Sequence, residues 1–417
     1  MRMGCFARMS VSEQAIDNQS QITHAQLEER AARLRQPGKQ FKLGFFTQVP
    51  SRADQPARRT YDELVESIVA AEDIGYDSVW IGQHHFSPED GGVPSPLVVL
   101  AAAAARTKRI HLGTAVIALP FEHPIRLAED LAVLDEISGG RVQIGLGGAR
   151  GDLQAFNTFG VDFSARHDLF DRNLEILQHL LDGRSCAEFA QPPNVDVRDT
   201  ATPVDRTSSE ELSASDSVAG LQASADVEPK RLFPGAPSLR SRVWQTASSE
   251  DRARKIARNG NGLMIGAFHD HVIFHQLRFI VGYLEEWLTL NGNLDEARIG
   301  AQRFTYHGQS ADAIAAELGP HVSATQKTLE ARFPQLGSLS PREYLRSVTR
   351  SGTSRDIVQQ LLNDPALLGF VTDFFPTTGL FPSVREGTSG ADLDVERLRV
   401  FAEEIAPELG WKPVAHE

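Results

Sequence analysis

From Phe41 onward the chain alternates short β-rich apolar runs with longer stretches of helical period, and this rhythm restricts the fold more than any other feature. The runs are "KLGFFTQ", "DSVWIG", "RIHLGTAVIAL" and "RVQIGLG", then "SRVWQTAS", "GLMIG", "RIGAQRFTY" and "FVTDFFPTT". Short β-rich runs that alternate with stretches of helical period are the mark of a parallel sheet. Eight such units predict an α/β fold of the (β/α)8 TIM barrel type over residues 41–417. An open doubly wound sheet is the structural alternative. Its glycine fingerprint is missing, because "GLGGARG" has Arg150 where the last glycine of GxGxxG would stand.

Punctuation between the runs agrees with this reading. Thr60 and Glu63 have capping-box spacing ahead of a Leu64, Ile68, Ala71 stripe that Gly75 would close. Ser95 and Pro96 read as N-cap and first helical residue, and Gly139 and Gly140 end the helix of "HPIRLAEDLAVLDEIS". Two segments fall outside the pattern. Residues 1–40 are polar, with one amphipathic helix in "HAQLEERAARLRQ", and read as a flexible N-terminal extension. Residues 185–230, before the fifth strand, are rich in Ser, Asp, Glu and Ala, and read as a disordered low-complexity insertion that cannot repay its ordering entropy.

With 417 residues, 41% of them hydrophobic, the chain can bury a large core, and its net charge of -13 argues against a nucleic-acid partner. Cys5 and Cys186 suggest neither a disulfide framework nor a thiolate metal site. No apolar stretch is long enough to span a bilayer, and "MRMGCFARMSVSEQ" lacks a signal peptide's apolar segment, so a cytoplasmic protein with no membrane partner is expected.

In a β/α barrel, chemistry gathers where strands end. After the second strand stand Gln83, His84 and His85; adjacent histidines there serve either acid/base chemistry or the loop itself. The third strand carries small residues at Gly113, Thr114 and Ala115, and the fourth ends in Gly145, Gly147 and Gly148, so a flat ligand could approach backbone closely; a tight turn would use the same glycines. Arg166 lies in the first turn of a helix that Ser164 would cap, where its charge opposes the helix dipole unless an anion binds. Ser248, Ser249 and Arg252 open the helix after the fifth strand, which reads as an anion site or as ordinary capping. "HDHVIFH" supplies a rival: His269, His271 and His275 could ligate a metal for a hydrolase, with only Asp270 adding a carboxylate.

On these residues, above all "WIGQHHF", "LGTAVIALPFEHPIRLAEDLAVLDEISGGRVQIGLG" and "FGVDFSARHDLF", the segment from Phe41 to Gly183 resembles the luciferase-like flavin monooxygenases. "RLFPGAPSLRSRVWQTASS" and "GLMIG" are similar to an FMN-dependent branch of that family. The resemblance implies an enzyme that binds FMN as FMNH2 from a separate NAD(P)H:flavin reductase. It adds O2 to give a C4a-(hydro)peroxyflavin and oxidises a small-molecule organic substrate as a homodimer. It also implies that His84 acts in acid/base catalysis with His85 beside it, and that a non-prolyl cis peptide at Ala115 and Val116 lies under the flavin ring. Arg166, Ser249 and Arg252 would face the phosphate. Where the family has glutamate, a reactive cysteine and a second phosphate arginine, this chain has Gln83, Gly147 and Gly148. Other readings on the same fold are an F420-dependent oxidoreductase and a noncatalytic flavin-binding protein.

Overall fold

In the computed structural model the alternation resolves into a closed ring of parallel strands. The structure describes residues 22–48, 56–86, 92–149, 153–185, 189, 230–266, 270–330, 339–377 and 390–413, with the backbone alone at 270–275, 341, 390–394 and in parts of 320–330. The strands are β1 (Lys42–Thr47), β2 (Ser78–Ile81), β3 (His111–Thr114), β4 (Ile117–Ala118), β5 (Val142–Gly147), β6 (Val243–Thr246), β7 (Gly262–Ile265), β8 (Ile299–His307), β9 (Arg350–Gly352) and β10 (Asp373–Thr377). The helices are α1 (His24–Leu34), α2 (Ala57–Ile74), α3 (Pro96–Ala104), α4 (Pro124–Ser138), α5 (Leu153–Thr158), α6 (Arg166–Leu181), α7 (Glu250–Arg258), α8 (Asp270–Asn291), α9 (Ala311–Glu330), α10 (Pro341–Val348), α11 (Ser354–Leu362) and α12 (Gly390–Val400).

The ring runs β1-β2-β3-β5-β6-β7-β8-β10 and closes because β10 pairs with both β8 and β1. All eight runs singled out in the sequence are its staves, so the barrel expectation is confirmed. The two short extras have local causes. β9 pairs with the far end of β8, and β4 continues the third run after an interruption.

Between the strands and the helices lies one continuous apolar layer, and a second cluster of Phe46, Trp80, Trp244, Met264 and Phe375 fills the barrel. Large rings inside are matched by glycines. A Cβ on Gly113 would come closer than 3.0 Å to the Trp80 indole, one on Gly262 would meet Trp244, and those on Gly44 and Gly300 would meet Phe375. Trp80 and Trp244 pack edge to face at 5.6 Å, a geometry that adds about 0.5–1.5 kcal/mol to simple burial. Their indole nitrogens donate to Ser78 and Gln143, so no buried donor is lost.

Three expectations need correction. The reading of residues 1–40 as a flexible arm fails from Ile22 on. There α1 buries Leu27, Ala31 and Leu34 in the main core, and Arg30 is held by Glu250 and Glu285 on α7 and α8. The Thr60/Glu63 capping box is not formed. α2 starts a turn earlier with Pro56 at its N-cap, and Glu63 instead accepts from Arg59. Ser164 does not cap α6, because it sits in a short 3-10 turn capped by Asp162, and Ala165 is the N-cap residue. Gly75 and Gly139 close their helices in the left-handed conformation as read. Residues 1–21 and nearly all of 185–230 lie outside the described residues; Ser185 and Lys230, the insertion's two ends, meet at 3.5 Å.

Candidate active site

The third run breaks at Ala115–Val116, which is a cis peptide without proline. Gly113 is level with Gln143 and Ile117 with Leu146, so four steps on the β3–β4 side face three on β5, and one residue is extra. That is a β-bulge, which bends a strand and re-aims what it carries. Thr114 repairs the ladder there: its hydroxyl donates to the Gly145 carbonyl at 2.9 Å and accepts from the Gly145 amide at 3.0 Å. Ala115 and Val116 are left half-buried above the aromatic filling, with Gly147 pressed against Val116. Gly148 is different, since a Cβ there would meet nothing within 4 Å. A small-residue ledge with open space beside it suits a flat ring.

The histidine loop borders this ledge. The Ala115 amide donates to Ile81 at the end of β2, and the His84 amide donates to Val93 at 3.2 Å. Both His84 and His85 are half-buried, but their surroundings differ. The His85 ring packs edge-on against Phe159 at 4.9 Å and Phe121 at 5.8 Å. Phe121 stacks on Phe159 and meets Phe156, which meets Phe163, over which the Arg166 guanidinium lies at 4.0 Å. A continuous aromatic chain therefore connects His85 to Arg166. At its outer end Phe86 is 55% and Phe159 42% exposed, an apolar lip beside the histidines.

The helix that begins at Arg166 meets the one that begins after Ser249 through Asp171, in the second turn of the former. Ser249 is the N-cap of α7 and accepts from the Arg252 amide at 3.2 Å; its hydroxyl keeps a proton to donate, whereas Ser248 is exposed. Arg252 reaches across to Asp171 of α6 at 2.8 Å, and Lys255 joins the same carboxylate at 2.9 Å. Asp171 lies about 7.5 Å along α6 from Arg166 by the helix rise. The second turn of α6 and the first two turns of α7 are thus tied through Asp171, while the Arg166 guanidinium, at the start of α6, lies over Phe163.

Sequence reading missed the aromatic chain, the Asp171 partner and the part played by Gln83, whose side chain links three segments. Phenylalanines near positions 121, 156, 159 and 163 were the available signal, but which of them meet is decided only by tertiary packing. Of the metal reading, His269 lies outside the described residues, as do the side chains of His271 and His275. Among the described residues no group of three or more potential ligands converges, and no helix is long and apolar enough to cross a membrane.

A profile of the luciferase-like monooxygenase family matches residues 41–367. The alkanal monooxygenase alpha chain of the Kryptophanaron alfredi symbiont is 36% identical over 138 residues, 33% of this chain and 38% of that protein. Limonene 1,2-monooxygenase of Rhodococcus erythropolis is 32% identical over 149 residues, 35% of this chain and 37% of that one. The matched part is thus little more than a third of either relative. Among solved structures, the oxygenating constituent of 3,6-diketocamphane monooxygenase from Pseudomonas putida, in complex with FMN, has a TM-score of 0.66 at 18% identity, covering 89% of this chain and 100% of that one. The F420-dependent tetrahydromethanopterin reductase of Methanopyrus kandleri has a TM-score of 0.59 at 16% identity, covering 89% and 99%. At such identities the likeness is one of fold.

Proposed function

The chain belongs to the luciferase-like monooxygenase family, and we propose that it is an FMN-dependent monooxygenase, supplied with reduced flavin by a separate reductase, that uses O2 to oxidise a small apolar organic molecule. The observation that carries this reading is the bulge at Ala115–Val116, half-buried between the histidine loop and the open backbone at Gly148.

The residues fit the cofactor. Ala115 and Val116 would support the ring, and Thr114 would hold the wall behind it. Gly147 and Gly148 would let the ring approach backbone, while Arg166, Ser249 and Arg252 would take the phosphate through charge-assisted hydrogen bonds. Reduced FMN, when bound, supplies the oxygen chemistry, which no side chain here provides. The protein's own work is positional. The aromatic lip of Phe86 and Phe159 favours an apolar substrate and keeps water out. His84, at the end of β2, holds or delivers a proton near neutral pH, the task its side chain suits best. His85, packed among phenylalanines, keeps that loop in place. A homodimer belongs to the same reading, and the exposed Val98 of α3 and the exposed Val133 and Ile137 of α4 mark the surface a second copy would cover.

The test is O2 uptake by the purified protein with enzymatically reduced FMN or reduced F420 and a panel of aldehydes, ketones and terpenes. Oxygenated product formed with FMN is the expected result. Hydride transfer from F420 without O2 uptake would replace the reading with an oxidoreductase of the same fold.

A further inference from the structure

The residue before His84 has a hydrogen-bond pattern that only an amide can make. The Gln83 Oε1 accepts from the Ala118 amide of β4 at 2.7 Å, while its Nε2 donates to the Pro94 carbonyl at 3.1 Å and to Glu122 Oε1 at 3.1 Å. One side chain thereby joins the histidine loop, the strand just beyond the bulge and the approach to α3. The orientation of the amide is fixed by its partners, since the Ala118 N–H requires an oxygen and the Pro94 carbonyl requires a nitrogen. A glutamate of the same shape would satisfy Ala118, but it would leave Pro94 without that donor and set a second carboxylate against Glu122. α6 holds the other side of this knot, where Asn173 donates to the Leu119 and Glu122 carbonyls at 3.1 Å.

We infer that Gln83 is a positioning residue that fixes His84 relative to the Ala115–Val116 ledge, and that Glu122 is its required partner. The inference rests on the reading of His84 as the group that handles the proton. The titratable residues next to the pair in sequence are His84 and His85, which follow Gln83, and His123, which follows Glu122; from α6 the neutral Asn173 side chain bonds this turn.

The experiment compares wild type, Gln83→Glu, Glu122→Gln and the double variant Gln83→Glu/Glu122→Gln. It measures thermal midpoint, FMN affinity, turnover from pH 5.5 to 9, and the His84 ring signal in the flavin-free protein labelled with 13C-histidine, assigned through His84→Ala. Gln83→Glu should keep its fold and bind FMN within about 3-fold of wild type, because the phosphate grip lies elsewhere, yet lose on the order of 10-fold in turnover at pH 8. Activity should recover as pH falls, since one proton shared by two carboxyls replaces the lost amide hydrogen. The double variant, with donor and acceptor exchanged, should regain much of the loss at pH 8, and the His84 signal should shift in the single variant and return in the double.

Wild-type turnover and an unshifted His84 signal in Gln83→Glu would overturn the inference, as would a double variant no better than the single one. Parallel loss of turnover and thermal stability would reduce Gln83 to a structural residue. The ring signal is read without flavin, so if wild type shows no FMN-dependent oxygenation, the proposed function fails while the positioning of His84 is still tested.

Discussion

Arg252, in the first turn of α7, and Asp171, in the second turn of α6, join the two helices across 2.8 Å, so the cation proposed for the FMN phosphate already has a carboxylate partner. A phosphate must share or displace it. Arg252→Ala should weaken FMN by about 10- to 100-fold, the range expected for losing one charge-assisted hydrogen bond, and riboflavin by no more than about 3-fold. Equal losses for the two ligands, measured by fluorescence titration, would remove Arg252 from the phosphate site. Asp171→Asn should leave riboflavin unchanged and strengthen FMN.

His84→Ala should bind FMN within a few-fold of wild type and lose about 10²-fold or more in turnover, as when a positioned acid/base is removed. His85→Ala should instead lower the thermal midpoint, because its ring packs on Phe159 and Phe121. Rapid mixing of the reduced-flavin complex with oxygen distinguishes them, and a kinetic defect that follows His85 would reverse the two roles.

Gly113→Ala should lower stability by about 1–3 kcal/mol, the usual cost of overpacking, since its Cβ would enter the Trp80 ring. Gly148→Ala is the matched control: a Cβ there meets nothing within 4 Å, so the midpoint should hold while flavin binding changes. Calorimetry of the two variants decides.

At the strand-start rim the buried Asp373 and the half-buried His111 pull stability in opposite directions. Burial pushes the Asp373 carboxyl from 3.8 up to about 6, so the fold binds its proton more tightly than the unfolded chain does, and stability falls as pH rises from about 4 to about 6. Asp77, also raised by burial, acts in the same sense. Burial, with Lys42, Arg242 and Arg141 nearby, pushes His111 from 6.5 down to about 4, so the unfolded chain takes the proton first and stability rises with pH between about 4 and 6.5. Denaturation curves should therefore fall more steeply with rising pH in His111→Gln than in wild type. In Asp373→Asn they should rise.

The eight staves were legible because short β-rich runs recur between helical segments capped by Ser, Pro and Gly; the uniformly apolar α3, Pro96–Ala104, could be told from a strand by the Ser95–Pro96 start rather than by its pattern. β9 was not, because three residues paired with the end of β8 carry no pattern of their own. The break in "RIHLGTAVIAL" was invisible to periodicity; only the likeness of its small residues to a known family pointed to Ala115 and Val116. His84, Arg166 and Ser249 could be picked out by their places after strands and at helix starts. Gln83 looked like a lost glutamate, since the value of an amide depends on Ala118, Pro94 and Glu122, which only the folded chain brings to it. For the same reason α1 read as an arm: Leu27, Ala31 and Leu34 form an apolar stripe, but nothing local says that α8 will receive it.

The stave that seals the barrel is the last of the eight to be made. β10 fills the gap between β1 and β8, so during synthesis the first strand waits for its final neighbour on the order of tens of seconds at about 5–20 residues per second. Over that interval the nascent chain presents two unpaired parallel edges, which invite pairing with other chains. Yield in the cell should then depend less on the strength of the finished core than on what shields those edges on the ribosome, and a chain cut short before residue 373 would keep them open for good.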